Sequence, residues 1–299
     1  MLAPEFTPKR IAGMAPRIRE LVDDAVDRLL DAPRPANLHR LVSRPIPSQV
    51  ICLLLGIDYA AHELFESLTE RLLDMTTSAE AFQEALRDVE DFIRAQVAEQ
   101  ERDPGDGVLG RLLVERVRTG QLTHEQLVGF AMLLLIGGHE TTAKMITLGM
   151  LTFLTEPEQA ERVRLRPDLM PGAIEEILRI HAITDLTVPK LAARDMSVAG
   201  CPINAGEGIL PLTAAANHDP DVFPDPDRFD PARGDRRHLT FGLGVHACLG
   251  QNLARAEMEA VFSALLRRVP SLRLAVPVSE LEPDRNAIVW GLKDLPVTW

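Results

Sequence analysis

The chain has 299 residues, of which 46% are hydrophobic, and a formal net charge of −12. That length holds one large core or two modest domains, and the acidic balance argues against nucleic acid and anionic membrane surfaces as partners. The stretch 127–151 is broken by His139, Glu140 and Lys144, so it falls short of the roughly 18 uninterrupted apolar residues of a membrane-spanning helix. The first residues carry no basic-then-apolar signal pattern. Three cysteines, Cys52, Cys201 and Cys248, have no disulfide-like spacing, which fits a reducing cytoplasm.

Residues 10 to 103 read almost entirely as helix. Ile18, Leu21, Val22, Ala25, Val26 and Leu29 recur at three- and four-residue spacing, the stripe of an amphipathic helix. Similar patterns at 41–55, 62–75 and 79–100 are separated by Pro, Gly, Asp or Ser-Ala breaks. Helical runs continue at 107–118, 124–155, 156–165 and 171–182. Between Thr187 and Leu212 the character changes. Pieces such as Met196-Ser197-Val198 and Gly208-Ile209-Leu210 alternate with Gly and Pro turns, as small hairpins do. An irregular segment from Asn217 to Thr240, rich in Asp and Pro, leads to a final helix over about 250–268. No internal repeat or low-complexity linker divides the chain. The expectation is a single domain over 1–299, mainly α with a minor β portion.

The most informative string is Phe241-Gly242-Leu243-Gly244-Val245-His246-Ala247-Cys248-Leu249-Gly250. Glycines at 242 and 244 permit a tight turn that could fold under a flat object. A cysteine entering a helix meets unpaired N–H groups and the positive end of the helix dipole, which favour thiolate. With no second cysteine or histidine at zinc spacing, such a sulfur suits a single axial bond to iron. A buried structural cysteine beside a turn is the bland alternative, and the whole string weighs against it.

Two other strings carry chemistry. Gly137-Gly138-His139-Glu140-Thr141-Thr142 lies inside the long apolar helix. Paired glycines weaken a helix, and Thr hydroxyls can bond back to earlier carbonyls. Together they could open the backbone locally and set an acid beside a hydroxyl to relay protons; a surface glutamate with two ordinary threonines is the alternative. Glu176-Ile177-Leu178-Arg179 places opposite charges at i and i+3, by itself a common surface pair of small value.

The ten-residue string resembles the haem-binding signature of the cytochrome P-450 family, Phe-Gly-x-Gly-x-His-x-Cys-x-Gly, with every fixed position filled. The order and spacing of elements resemble that family from about residue 4 to the C-terminus. The resemblance implies the cytochrome P-450 fold and haem b with Cys248 as the iron ligand. His246 would hydrogen-bond a propionate, and Phe241, Gly242 and Gly250 would shape the loop beneath the cofactor. Glu140 and Thr141 match the family's acid–alcohol pair: Thr141 would steady bound dioxygen or hydroperoxide, and Glu140 would help deliver protons. Gly137 and Gly138 would leave room for the dioxygen. Glu176 and Arg179, with Arg228 from Pro226-Asp227-Arg228-Phe229, match a structural triad. Lys190 stands where the family usually has a propionate-binding arginine, and it supplies charge without the bidentate fork. An exposed lysine is the even alternative there.

Residues Ala3-Pro4-Glu5-Phe6-Thr7-Pro8-Lys9-Arg10 resemble the segment just after the family's third helix. The fold is therefore expected to be N-terminally incomplete, without the substrate-capping loop and a basic helix.

The implied function is a haem-dependent monooxygenase, RH + O₂ + 2 e⁻ + 2 H⁺ → ROH + H₂O, acting on a hydrophobic small molecule. Electrons would come from NAD(P)H through a separate ferredoxin or flavodoxin, because the chain has no flavin or iron–sulfur pattern. Two alternatives stand beside it. One is a peroxide-driven haem-thiolate enzyme, whose representatives commonly lack the acid–alcohol pair. The other is a truncated, non-catalytic remnant, haem-binding or haem-free. Arg233, Arg236, Arg237 and Arg255 could face an acidic ferredoxin, although Asp225, Asp227, Asp230 and Asp235 interleave with several of them. Leu134, Leu135, Val188 and Leu191 are candidate substrate contacts or plain core. The protein is expected to be a cytoplasmic monomer.

Overall fold

The computed structural model describes residues 2–59, 62–184 and 189–299. Helix α1 (Pro8–Asp31) starts where the Thr7 hydroxyl accepts the Arg10 N–H, with Pro8 in the first turn. Its stripe from Ile18 to Leu29 is buried and packs on α10 (Gln251–Arg268). Helix α2 (Pro45–Leu55) ends at Gly56, whose φ of 82° stops it in the left-handed conformation. Helices α3 (His62–Leu73) and α4 (Ala79–Arg102) pack together, and α4 also rests on the central helix.

That central helix, α6 (His124–Thr155), follows the short α5 (Val108–Leu112). It opens with a capping box in which Thr123 and Gln126 satisfy each other's backbone N–H groups at 3.2 and 3.0 Å. Its 32 residues span about 48 Å at 1.5 Å per residue, long enough to touch α2, α4 and α10. Helix α7 (Pro157–Leu165) and α8 (Met170–Ile180) follow it.

Two expected helices differ in detail. The run at 41–55 begins as a wide π turn, His39–Ser43, before α2, and the run at 107–118 divides into α5 and a second π turn, Leu113–Val117. The hairpins lie within the stretch 187–212 where short β-prone pieces between Gly and Pro turns predicted them. Strand β2 (Lys190–Leu191) pairs with β5 (Gly208–Ile209), and β3 (Met196–Val198) with β4 (Cys201–Ile203), all antiparallel. A third sheet, absent from the sequence reading, joins β1 (Ala36–Asn37), β7 (Pro296–Thr298) and β6 (Arg273–Leu274). Strands of two or three residues are too short to register as alternation.

The irregular segment is closed by one side chain. Asn217, at the end of the short helix α9 (Thr213–Asn217), accepts the Leu239 N–H at 2.7 Å and donates to Thr240 Oγ1 at 2.9 Å. This draws the two ends of the loop together. It also fixes the point from which the cysteine string departs.

Candidate active site

The cysteine string forms a compact loop. Gly242 and Gly244 take φ of 69° and 82°, angles a side chain would penalise, and the Cys248 N–H closes the loop on the Phe241 carbonyl at 2.7 Å. Gly250 is the N-cap of α10. The Cys248 sulfur therefore accepts the N–H groups of Gly250 and Gln251 as the helix begins. Burial pushes the thiol pKa up, while these N–H groups and the Arg255 charge pull it down. The thiolate-favouring groups are present as expected, and the net direction for the thiol is upward. A coordinating metal deprotonates such a thiol outright.

The sulfur opens into an apolar cavity of about 440 Å³ between the loop and α6. Thr141, Gly137 and Met145 line it from α6; Cys248, Phe241 and His246 line it from the loop. Lys190 borders it from β2. The Thr141 hydroxyl donates to the Gly137 carbonyl at 2.9 Å, and that of Thr142 to Gly138 at 3.4 Å. The back-bonding is as expected, yet α6 stays helical throughout and no opened turn forms.

The two glycines do different work. A Cβ at Gly137 would meet nothing within 4 Å, consistent with its place on the cavity wall. A Cβ at Gly138 would fall 2.7 Å from Ile51 Cδ1. Gly138 thus brings α2 against α6 and makes no room over the sulfur, which corrects the expectation for that residue.

Glu140 does not line the cavity. Its Oε1 lies 3.5 Å from Lys144 Nζ, which is buried and donates to Asp284 Oδ2 at 2.9 Å and the Leu292 carbonyl at 3.1 Å. The acid is thus tied to the C-terminal segment behind the helix. His139 is a core residue, bonded to Thr69 Oγ1 at 2.9 Å and the Leu135 carbonyl at 2.8 Å, with its ring edge-on to Phe65.

Comparison with known proteins places this geometry. The Cytochrome P450 family profile matches residues 168–283. The chain is 44% identical to Vitamin D3 dihydroxylase of Streptomyces griseolus, over all of this chain and 73% of that protein. It is 45% identical to Pentalenic acid synthase of Streptomyces avermitilis, over all of this chain and 74% of that protein. The chain belongs to the cytochrome P450 family. The crystal structure of mycinamicin VIII C21 methyl hydroxylase from Micromonospora griseorubida superposes with a TM-score of 0.95 at 38% identity, covering all of this chain and 76% of that one. The expected P450 fold is thus present, spanning about three quarters of the length of these relatives.

Membership in the P450 family implies a haem cofactor held by a cysteine thiolate, and the residues present fit it. A single sulfur, backed by two backbone donors and a helix terminus, faces an apolar slot with Thr141 on the opposite wall. His246 and Lys190 provide polar groups on the same cavity.

One P450 expectation is corrected. Glu176 and Arg179 do form a buried bidentate pair, at 2.7 and 3.0 Å, and Arg179 also donates to the Asn217 carbonyl at 2.9 Å. The third member is Arg233, not Arg228. Arg233 Nε donates to Glu176 Oε1 at 2.8 Å while its Nη atoms hold the carbonyls of Pro224 and Asp225. The Arg228 side chain is exposed; the residue contributes only its carbonyl, to Arg233 at 3.5 Å. The spacing of Arg233 from Glu176 follows from the coil of the irregular segment, which leaves no periodic trace in the sequence.

The remaining expectations divide. Leu134 and Leu135 are buried core and Leu191 is exposed, none of them on the cavity; Val188 lies outside the described residues. Among the residues that sequence reasoning missed are Met145, Ile183, Thr240 and Met258, which line the same cavity. Arg233 and Arg255 are committed to Glu176 and Glu175, so Arg236 and Arg237 are the exposed members of the arginine cluster. Among the described residues no helix is long and apolar enough to cross a membrane.

Proposed function

We propose that this P450 chain inserts one oxygen atom from O₂ into a hydrophobic small molecule, with electrons passed from NAD(P)H by a separate ferredoxin or flavodoxin. The observation that carries the reading is that Cys248, from the loop, and Thr141, from α6, line one apolar cavity. Haem, when bound there, supplies the oxygen chemistry, its thiolate ligand favouring O–O cleavage.

The chain's own residues do the rest. Cys248 would hold the iron, with Gly250 and Gln251 N–H groups and the turn at Gly242 fixing the sulfur. His246 and Lys190, which line the same cavity, would pair with the cofactor's carboxylates. Thr141 donates its hydroxyl proton to the Gly137 carbonyl and would hold a proton at its Oγ1 on the cavity wall. Glu140, paired with Lys144, would relay protons toward that hydroxyl. Met145, Ile183 and Met258 exclude water and favour an apolar guest. The named relatives include a vitamin D3 dihydroxylase and a mycinamicin VIII C21 methyl hydroxylase, which supports a small-molecule substrate.

Direct use of peroxide is the lesser reading, because Glu140 and Thr141 are both present. The two are separated by turnover: product should form with a ferredoxin and its reductase under air. Equal or greater turnover with hydrogen peroxide alone would reverse the ranking.

A further inference from the structure

Glu175 is an almost fully buried carboxylate that the catalytic residues above do not use. Arg255 grips it bidentately, Nε to Oε1 at 2.8 Å and Nη2 to Oε2 at 2.9 Å. His238 Nε2 lies 3.0 Å from Oε2, and Arg236 Nε 3.2 Å from Oε1. The remaining Arg255 nitrogen donates to the carbonyl and side chain of Gln251, at 3.3 and 3.1 Å. Each guanidinium nitrogen thereby has a partner, and Arg255 Cζ lies over the Phe241 ring, 4.6 Å from its centre. Phe241 is the residue whose carbonyl receives the Cys248 N–H at 2.7 Å. A cation is thus locked between a buried anion and the loop that carries the sulfur.

We infer that Arg255, clamped by Glu175 and laid across Phe241, is a positioning residue for the Cys248 sulfur, fixing both the loop and the electrostatic field at the iron ligand. The inference rests on the reading of Cys248 as that ligand. Outer groups commonly tune a metal through its ligand in this way. The clamp has a geometric part and an electrostatic part. The fork and the cation–π contact hold the aromatic ring that backs the loop. The charge stabilises the extra electron that the iron–thiolate unit takes up on reduction, and so raises its reduction potential. A lysine keeps the charge but supplies neither the fork nor the flat stacking face.

The test uses the haem-loaded full chain and three variants, Arg255→Met, Arg255→Lys and Phe241→Leu. The ferric/ferrous midpoint potential and the half-life of the thiolate-type CO band of the reduced protein are measured for each. Arg255→Met should shift the potential to more negative values and shorten the half-life several-fold. Arg255→Lys should keep the potential close to the parent value but still shorten the half-life. Phe241→Leu should shorten the half-life with little change in potential, and these two variants carry the test if Arg255→Met does not fold. Variants that load haem and show the parent's potential and half-life would overturn the inference, as would an equal negative shift in Arg255→Met and Arg255→Lys. A parent chain with no thiolate-type band would instead remove the functional reading itself.

Discussion

Glu176 and Arg233 meet at 2.8 Å across 57 residues of chain, and with Arg179 they make an ion cluster that ties α8 to the irregular segment. Glu176 Oε1 also accepts the Asp230 N–H at 3.3 Å, so one carboxylate stitches α8 to the irregular segment twice. Removing a partner from a buried cluster leaves a charge uncompensated. Arg233→Met should therefore cost about 3 kcal/mol or more of unfolding free energy. Arg228→Met should change it by less than about 0.5 kcal/mol. Urea unfolding of the two variants decides it, and a larger loss for Arg228→Met would contradict the assignment.

Thr141 should separate electron consumption from product formation. Thr141→Ala removes the one hydroxyl of the Glu140–Thr141 pair that lines the cavity. Product per reductant consumed is expected to fall at least about tenfold, the lower end of what a positioned proton donor contributes. Released hydrogen peroxide should make up the difference. Coupled turnover equal to that of the parent would remove Thr141 from the proton path.

His39 predicts sensitivity to mild acid. Burial, then the neighbouring Lys144 charge, pushes its pKa down from 6.5 to about 4, while Nδ1 lies 2.8 Å from Thr147 Oγ1. A depressed folded pKa means the stabilisation is complete above the unfolded value and is lost as pH falls. Between pH 6.5 and 4 this residue alone should cost about 3 kcal/mol. His39→Gln should flatten the dependence of Tm on pH in that window. An unchanged slope would show that His39 does not carry it.

Glu257 predicts the opposite sign. It is fully buried on α10, its Oε2 has no hydrogen-bond partner, and burial raises its pKa well above 4.5. An acid with a raised folded pKa destabilises the fold as pH rises past the unfolded value, because the unfolded chain ionises first. Glu257→Gln should therefore raise Tm at pH 7 and leave it nearly unchanged at pH 4. A lower Tm at both would contradict the assignment of a neutral, unpaired carboxyl.

Long amphipathic stripes made most of the helical architecture legible, because Ile18 to Leu29 and their counterparts repeat a burial pattern that only a helix satisfies. The cysteine loop was legible for a different reason: Gly242 and Gly244 do occupy left-handed angles. What escaped were pairings settled by three-dimensional proximity. The β1–β7–β6 sheet joins short strands from opposite ends of the chain, and Arg233 reaches Glu176 only because Asn217 closes the segment between them. Gly138 was misread because a glycine beside a cavity and one beside a neighbouring helix look alike in sequence. Ile51, which decides the matter, lies on another helix.

The account stands most directly on the visible spectrum of the purified chain after haem loading, reduction and exposure to CO. A Soret band at the long-wavelength position of a thiolate ligand is expected, and Cys248→Ala should lose it. A band typical of histidine ligation, or none at all from a folded protein, would contradict the claim that the Cys248 sulfur holds the iron.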